Sequence, residues 1–273
     1  MKKLGFVGGG NMAEALARGL IQRKLFRATD LIASDVVPAR RNALKRSLKI
    51  ETTGDNLDVI WQSRAVVLAV KPQIIDEVLT EVATELKPGA RTHLFISIAA
   101  GIPIERILGL LGANARVIRV MPNAPAMVGE GMAALVRSKG ASKADEALAL
   151  RIFRAVGDAV ALKDEKLLDA VTALSGSGPA YVYLFAKAIA DAAGNEGLPR
   201  DLAIRMALQT LRGAEQVMRA SRLAVAELIR MVASPGGTTE AALRAFAEAG
   251  FSDIVARAVH AAADRSRELG RAS

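Results

Sequence analysis

Cysteine is absent from the 273 residues, which excludes a disulfide framework, a thiol nucleophile and a thiolate-ligated metal, and fits a cytoplasmic protein. Histidine is scarce: the only two, His93 and His260, stand at the start of an apolar run and within the last helical pattern. Those positions suit structural or exposed imidazoles better than a proton-transfer pair. Phe, Trp and Tyr make up 4% of the chain, and only Tyr181, Tyr183 and Phe185 lie close together, inside an apolar helical pattern that suits core packing. No run of about eighteen apolar residues occurs, so no membrane span is expected. In the opening MKKLGFVGGG, glycines interrupt the apolar run too early for a signal peptide, and the segment reads as a strand.

What is present is a chain that is 51% hydrophobic, long enough for a substantial core and for two domains. The net charge of +9 would attract phosphate. Its distribution speaks against nucleic acid, because basic residues alternate with acids along helical stretches, as in Arg151, Arg154, Asp158, Lys163, Asp164, Glu165 and Lys166, and the one group of neighbouring aromatics lies elsewhere.

Short apolar runs at 4–7, 31–33, 65–70, 93–98, 116–120 and 132–136 alternate with helical patterns at 11–23, 38–47, 72–86, 103–111 and 142–156. Repeated βα units of this kind predict a mostly parallel, doubly wound sheet covered on both faces. After about residue 162 the strand signals stop. Helical patterns at 164–174, 180–195, 199–218, 225–233, 238–249 and 252–269 predict an all-α second domain, so the expected division is 1–162 and 163–273. A break is expected at SGSGP. The 180–195 pattern is apolar on more than one face, through Val182, Tyr183, Leu184, Phe185, Ile189 and Ala190. A small domain buries such a helix most readily between two copies, which predicts a homodimer.

The first strand runs into GGGNMA, giving Gly8-x-Gly10-x-x-Ala13 between a strand and a helix. In that context the first glycine makes the turn, the second lets a pyrophosphate approach, and the small Ala13 brings helix and strand together. The second strand ends at Ser34-Asp35, where a dinucleotide-binding fold reads the ribose 2′ position. Asp35 suits the 2′-hydroxyl of NAD(H), and Asp35→Ala is then expected to shift preference towards NADPH. Ser34 with Arg40 and Arg41 suits the 2′-phosphate of NADP(H). The balance favours NADP(H), with NAD(H) as the alternative. AVKP (69–72), SIAAG (97–101) and VMPNAP (120–125) each close a strand at its carboxyl end, the edge where open α/β sheets bind ligands. In the helical half, SPGGTT (234–239) ends one helix and starts another, aiming the free amides of Thr238, Thr239 and Glu240 at an anion.

Taken in order, GFVGGGNMAEAL, LAVKP, SIAAGIP, IRVMPNAPA, TALSGSGPAYVY and VASPGGTTEAAL resemble the pyrroline-5-carboxylate reductase family. The resemblance implies a Rossmann domain followed by a helical dimerisation domain, and NAD(P)H-dependent reduction of 1-pyrroline-5-carboxylate to L-proline, the last step of proline biosynthesis. It also implies dimers that can assemble into decamers. By the same resemblance, Gly8, Gly10, Asn11 and Met12 hold the pyrophosphate, Ser34 and Asn56 meet the adenosine end, and Ala69, Val70, Lys71 and Pro72 line the nicotinamide side. The amides of Gly237, Thr238 and Thr239 bind the substrate carboxylate, and the Thr239 hydroxyl meets the ring nitrogen, making Thr239 the candidate catalytic residue. Ala224-Val225 stand where such enzymes often carry His-Pro, a departure that concerns the turn before the motif. No metal is implied. The alternatives are a β-hydroxyacid dehydrogenase or other imine reductase of the same architecture, for which Lys187 is the only lysine on the first long helix of the second domain, and a non-catalytic dinucleotide-binding regulatory protein.

Overall fold

The computed structural model describes residues 1–85 and 93–272. Eight strands form one sheet: β1 (Lys2–Val7), β2 (Leu31–Ser34), β3 (Glu51–Thr53), β4 (Ser63–Leu68), β5 (Leu94–Ser97), β6 (Arg116–Met121), β7 (Gly131–Arg137) and β8 (Gly157–Ala161), in the order β3-β2-β1-β4-β5-β6-β7-β8. Neighbours pair in parallel except β6 with β7. The doubly wound sheet expected from the alternating runs is therefore present, with β7 and β8 reversed relative to the other six.

Period-2 alternation sends successive side chains of a strand to opposite faces, and both faces here are apolar. Ala65 and Val67 of β4, Leu94 and Ile96 of β5, and Ile118 and Val120 of β6 face one core. That core is closed by α1 (Asn11–Gln22), α2 (Pro38–Leu48) and α6 (Lys143–Arg154), which contribute Leu16, Leu20, Leu44, Ile152 and Phe153. Val66 and Leu68, Phe95 and Val117 face the other core, under α3 (Asn56–Gln62), α4 (Ile75–Glu85) and α5 (Ile104–Leu111). The expected end of the 72–86 helix, Leu86, lies outside the described residues, and its start is a 3₁₀ turn at Pro72–Ile74.

Two compact units divide the chain: Met1–Ser177 together with the segment from Ala262 onward, and Gly178–Ala261. Residues 163–177 pack with the sheet because Leu168 is buried in its second core and Glu165 accepts bonds from the Ile104 amide (2.8 Å) and Arg119 (2.6 Å). The expected break at SGSGP falls at Ser177, a bend before the helix that begins at Gly178, and the boundary between the two units lies there. After α7 (Leu167–Val171) the residues Thr172–Gly176 form a π-helical turn, closed by the Ser177 amide on the Thr172 carbonyl at 2.8 Å. The Thr172 and Ser175 hydroxyls bond back to the carbonyls of Leu168 (2.7 Å) and Val171 (3.1 Å), which favours the wider turn.

The second unit holds α8 (Gly178–Asn195), α9 (Arg200–Ala220), α10 (Val225–Val232), α11 (Thr238–Glu248) and the first half of α12 (Phe251–Ala272). Its buried core is small, with Ala190 of α8 against Ala203 and Ala207 of α9. Tyr183 and Leu184 are 64% and 68% exposed in the single chain, so the apolar sides of α8 are not covered by its own fold. The last turns of α12 belong to the first unit, where the Ser266 hydroxyl donates to Asp169 at 2.7 Å.

Candidate active site

The turn after β1 is built from three glycines with three different demands. Gly8 has φ +96, and a Cβ there would lie 2.8 Å from the Ala69 carbonyl oxygen, so no other residue fits without moving the backbone. Gly10 precedes α1 in extended conformation, and a Cβ on it would meet no protein atom within 4 Å. The space left open there lies beside the first amides of α1, those of Asn11, Met12 and Ala13, which have no acceptor within the helix. A phosphate can approach that space, and the loop fits a dinucleotide. Ala13 is 2% exposed and packs in the core, as the pattern predicted.

Gly9 is held from both sides. Its N–H donates to Asp35 Oδ2 at 3.1 Å, and its carbonyl accepts from Arg40 Nε. Arg40 also pairs with Glu14 of α1 at 2.7 Å, and Arg18 meets the same carboxylate at 2.7 Å. Burial pushes the Glu14 carboxyl up, but the hydrogen bonds and charges of Arg18 and Arg40 outweigh it and hold the group below the usual carboxylate range. An acid in the first turn of α1 is thus held ionised and screened by two guanidinium groups.

At the end of β2, Ser34 is buried at 1% exposure and its hydroxyl donates to Asn56 Oδ1 at 2.8 Å. Ser34 therefore holds Asn56, the first residue of α3, and donation from its hydroxyl to a ligand would compete with that bond, whereas its oxygen can still accept. Ala69 and Val70 follow β4 half-buried, Lys71 is exposed, and Pro72 opens the 3₁₀ turn. The Ala69 amide donates to the Val7 carbonyl at 2.8 Å, tying the AVKP stretch to the strand that feeds the glycine loop.

A cavity of about 400 Å³ gathers the remaining strand ends: Asn11 and Met12 from the glycine loop, Ile98 and Ala100 from SIAAG, Met121 to Ala124 from VMPNAP, and Gly176 of the π-turn. Asn123 fixes its wall. Its Oδ1 accepts the Met132 amide at 2.8 Å and its Nδ2 donates to the Ser175 carbonyl at 3.0 Å. The sequence pointed to the stretch but not to this residue's double bond; an asparagine between two prolines just past a strand was the available signal.

In the second unit, SPGGTT adopts the predicted helix–turn–helix. Gly236 has φ +70, Gly237 is the extended residue before α11, and Thr238 and Thr239 are its first two residues. The Gly237 amide already donates to the Ser234 carbonyl at 3.0 Å, and Glu240 folds back onto the Gly236 amide at 2.6 Å. The turn thus uses the amides of Gly236 and Gly237, which leaves those of Thr238 and Thr239 for an anion. Before α10, the Ala224 amide is capped by Glu227 at 2.9 Å, which closes the turn where His-Pro was expected. Lys187 is paired with Asp191 on α8. His93 is buried, and burial first, then the charge of Arg116, push its imidazole below its ordinary value. Among the described residues no cluster of His, Asp or Glu could hold a metal, and no helix is long and apolar enough to cross a membrane.

Two family models match: one described as pyrroline-5-carboxylate reductase dimerisation, over residues 165–269, and one described as NADP oxidoreductase coenzyme F420-dependent, over residues 3–101. The chain is 41% identical to the pyrroline-5-carboxylate reductase of Synechocystis sp. over 98% of both chains. It is similar to the structure of a pyrroline-5-carboxylate reductase from Coxiella burnetii, at TM-score 0.91 and 33% identity over 98% of both chains. A pyrroline carboxylate reductase from Plasmodium falciparum, crystallised with NADP bound, matches at TM-score 0.87 and 32% identity over 98% of both chains. With a glycine loop at the sheet edge, a second glycine turn opening α11, and likeness along nearly the whole length, the chain belongs to the pyrroline-5-carboxylate reductase family.

Proposed function

We propose that this protein reduces 1-pyrroline-5-carboxylate to L-proline, the last step of proline biosynthesis, using NADP(H) in preference to NAD(H). The observation that carries the reading is the pair of glycine-preceded helix starts, at Gly10 and at Gly237, within a chain of this family. When bound, NAD(P)H supplies the hydride that reduces the C=N bond. The chain's own part is orientation. Gly8, Gly10, Asn11 and Met12 seat the pyrophosphate, Asn56 with Ser34 behind it meets the adenosine, and Ala69, Val70, Lys71 and Pro72 border the nicotinamide. The Thr238 and Thr239 amides take the substrate carboxylate, joined by that of Gly237 if its bond to Ser234 opens. The Thr239 hydroxyl accepts a hydrogen bond from the protonated ring nitrogen, holding the imine in its more electrophilic form.

Residues 1–162 then serve as the cofactor domain and 163–273 as the dimerisation and substrate-binding domain. That division is supported by the dimerisation model beginning at residue 165, although 163–177 pack with the sheet. The uncovered apolar sides of α8 support a homodimer, which can assemble further into decamers, and we place the enzyme in the cytoplasm.

Following NADPH and NADH oxidation with 1-pyrroline-5-carboxylate, with a β-keto acid and with no acceptor tests this reading. Turnover of the imine alone is expected. Turnover of the keto acid would mean a hydroxyacid dehydrogenase, and no turnover with cofactor binding intact would mean a regulatory protein. Within the reductase, Thr239→Ala should lower kcat/KM for the imine about 10-fold to 150-fold, the equivalent of one hydrogen bond to a charged partner, while cofactor KM changes little. Unchanged kcat/KM would remove Thr239 from the reaction.

A further inference from the structure

We infer that the three charged residues after β2 divide their work: Asp35 and Arg40 position the glycine loop for either cofactor, and Arg41 is the residue that selects the 2′-phosphate. The inference rests on the reading of GGGNMA as the dinucleotide site and deepens it.

Asp35 occupies the position from which an acid commonly reads a ribose hydroxyl. Here each of its oxygens is turned to the main chain: Oδ2 accepts the Gly9 amide at 3.1 Å and Oδ1 accepts the Val37 amide at 2.8 Å. One carboxylate thus couples the glycine loop to the start of α2. Arg40 completes the grip, donating through Nε to the Gly9 carbonyl while its Nη2 pairs with Glu14 at 2.7 Å. The Gly9 peptide is fixed on its donor side by an anion and on its acceptor side by a cation, next to the open face of Gly10. Charge-assisted hydrogen bonds of this kind fix a loop before ligand arrives, so their loss should raise the cost of binding any dinucleotide, irrespective of its 2′ substituent.

Arg41 is placed differently. Its Nη1 donates to two main-chain carbonyls, Asp35 at 2.7 Å and Val36 at 3.2 Å. A Cβ on Gly54 would lie 3.4 Å from the same nitrogen, so the guanidinium sits between the end of β2 and the turn that leads to Asn56. No carboxylate pairs with it among the described residues, and its charge is therefore available. A half-buried guanidinium anchored on carbonyls beside the ribose position is suited to a phosphate dianion and has no comparable partner in a 2′-hydroxyl.

Binding of NADPH and of NADH, followed by cofactor fluorescence without imine, separates these roles, with steady-state kcat and cofactor KM as the second readout. Arg41→Gln should weaken NADPH about tenfold or more while leaving NADH within about twofold. Asp35→Ala and Arg40→Gln should weaken both cofactors by a common factor, leaving the ratio of the two within about twofold of wild type in both binding and cofactor KM. Asp35→Asn, which keeps one carbonyl oxygen for a single amide, should fall between wild type and Asp35→Ala; it also guards against a misfolded alanine variant. An Asp35→Ala preference moved towards NADPH, or an Arg41→Gln loss shared equally by both cofactors, would overturn the division. Absence of binding of either cofactor to the wild type would instead overturn the dinucleotide site, and the inference with it.

Discussion

Gly8 and Gly10 stand two residues apart in one loop and should fail in opposite ways when each is replaced by alanine. At Gly8 the φ of +96 is costly for any residue with a Cβ, by about 1–3 kcal/mol. The added methyl would also lie 2.8 Å from the Ala69 carbonyl oxygen and 2.9 Å from its carbon, and those atoms are main chain, held by the Ala69 amide on Val7 at 2.8 Å. Forcing the two strands' ends apart adds overpacking of about 1–3 kcal/mol. Even the lower ends, together about 2 kcal/mol, lower the melting temperature of a unit this size by about 4–8 °C. At Gly10 the backbone is ordinary, φ −65 and ψ −179, and no protein atom lies within 4 Å of the new methyl. Gly10→Ala should therefore shift the melt by less than about 2 °C and yet weaken NADPH about tenfold, because the methyl occupies the approach to the α1 amides. Thermal melts of the apo protein and fluorescence titrations with NADPH give both numbers for both variants. Should Gly8→Ala melt with wild type, or Gly10→Ala bind NADPH as wild type does, the loop does not have the geometry assigned to it.

Two further outcomes follow from other parts of the molecule. The folded-state pKa of His93 lies below its ordinary value of 6.5, so the unfolded chain takes up the proton first as pH falls. Stability should then be full above about pH 6.5 and decline below it, in a window above the carboxylate titrations; urea midpoints at about pH 8 and about pH 5.5 should differ in wild type and much less in His93→Gln. Light scattering over a range of concentrations should give a dimer or a larger closed assembly, consistent with the exposed Tyr183 and Leu184, and a concentration-independent monomer would leave the apolar sides of α8 without a reason.

Much of the sheet was legible because both faces of its central strands are buried, so these read as unbroken apolar runs such as AVVL or LFIS. What escaped is short or polar. β3 is three residues, Glu51–Thr53, on the sheet edge, and α3 covers only seven, Asn56–Gln62, too few for a 3.6-residue period to show. The reversal at β7 left a trace that periodicity ignores. Only residues 122–130 join β6 to β7, and a parallel return needs a dozen or more, so connection length alone forces an antiparallel pair. The π-turn at Thr172–Gly176 was not legible, because glycine and proline mark an interruption without its form; the hydroxyls of Thr172 and Ser175 bonding backwards along the chain accompany the wider turn.

The candidate site divides along a different line. Glycines announce themselves in sequence because a turn with positive φ or an open approach to a helix start admits little else, and both glycine loops were read from them together with the strands, helices and threonines around them. Charged neighbours do not. Arg40 and Arg41 are adjacent and identical in type, and sequence reasoning gave both the same phosphate. On a helix, however, consecutive side chains point about 100° apart. That rotation turns Arg40 to the Gly9 carbonyl and Glu14 and turns Arg41 to the Asp35 and Val36 carbonyls, so one is consumed in shaping the loop and the other is left with uncompensated charge. Asp35 is engaged in the same way, its Oδ2 accepting the Gly9 amide and its Oδ1 the Val37 amide. A residue type at the right offset marks a position, and the bonds it already makes to the main chain, here to Gly9 and Val37, are what sequence alone does not show.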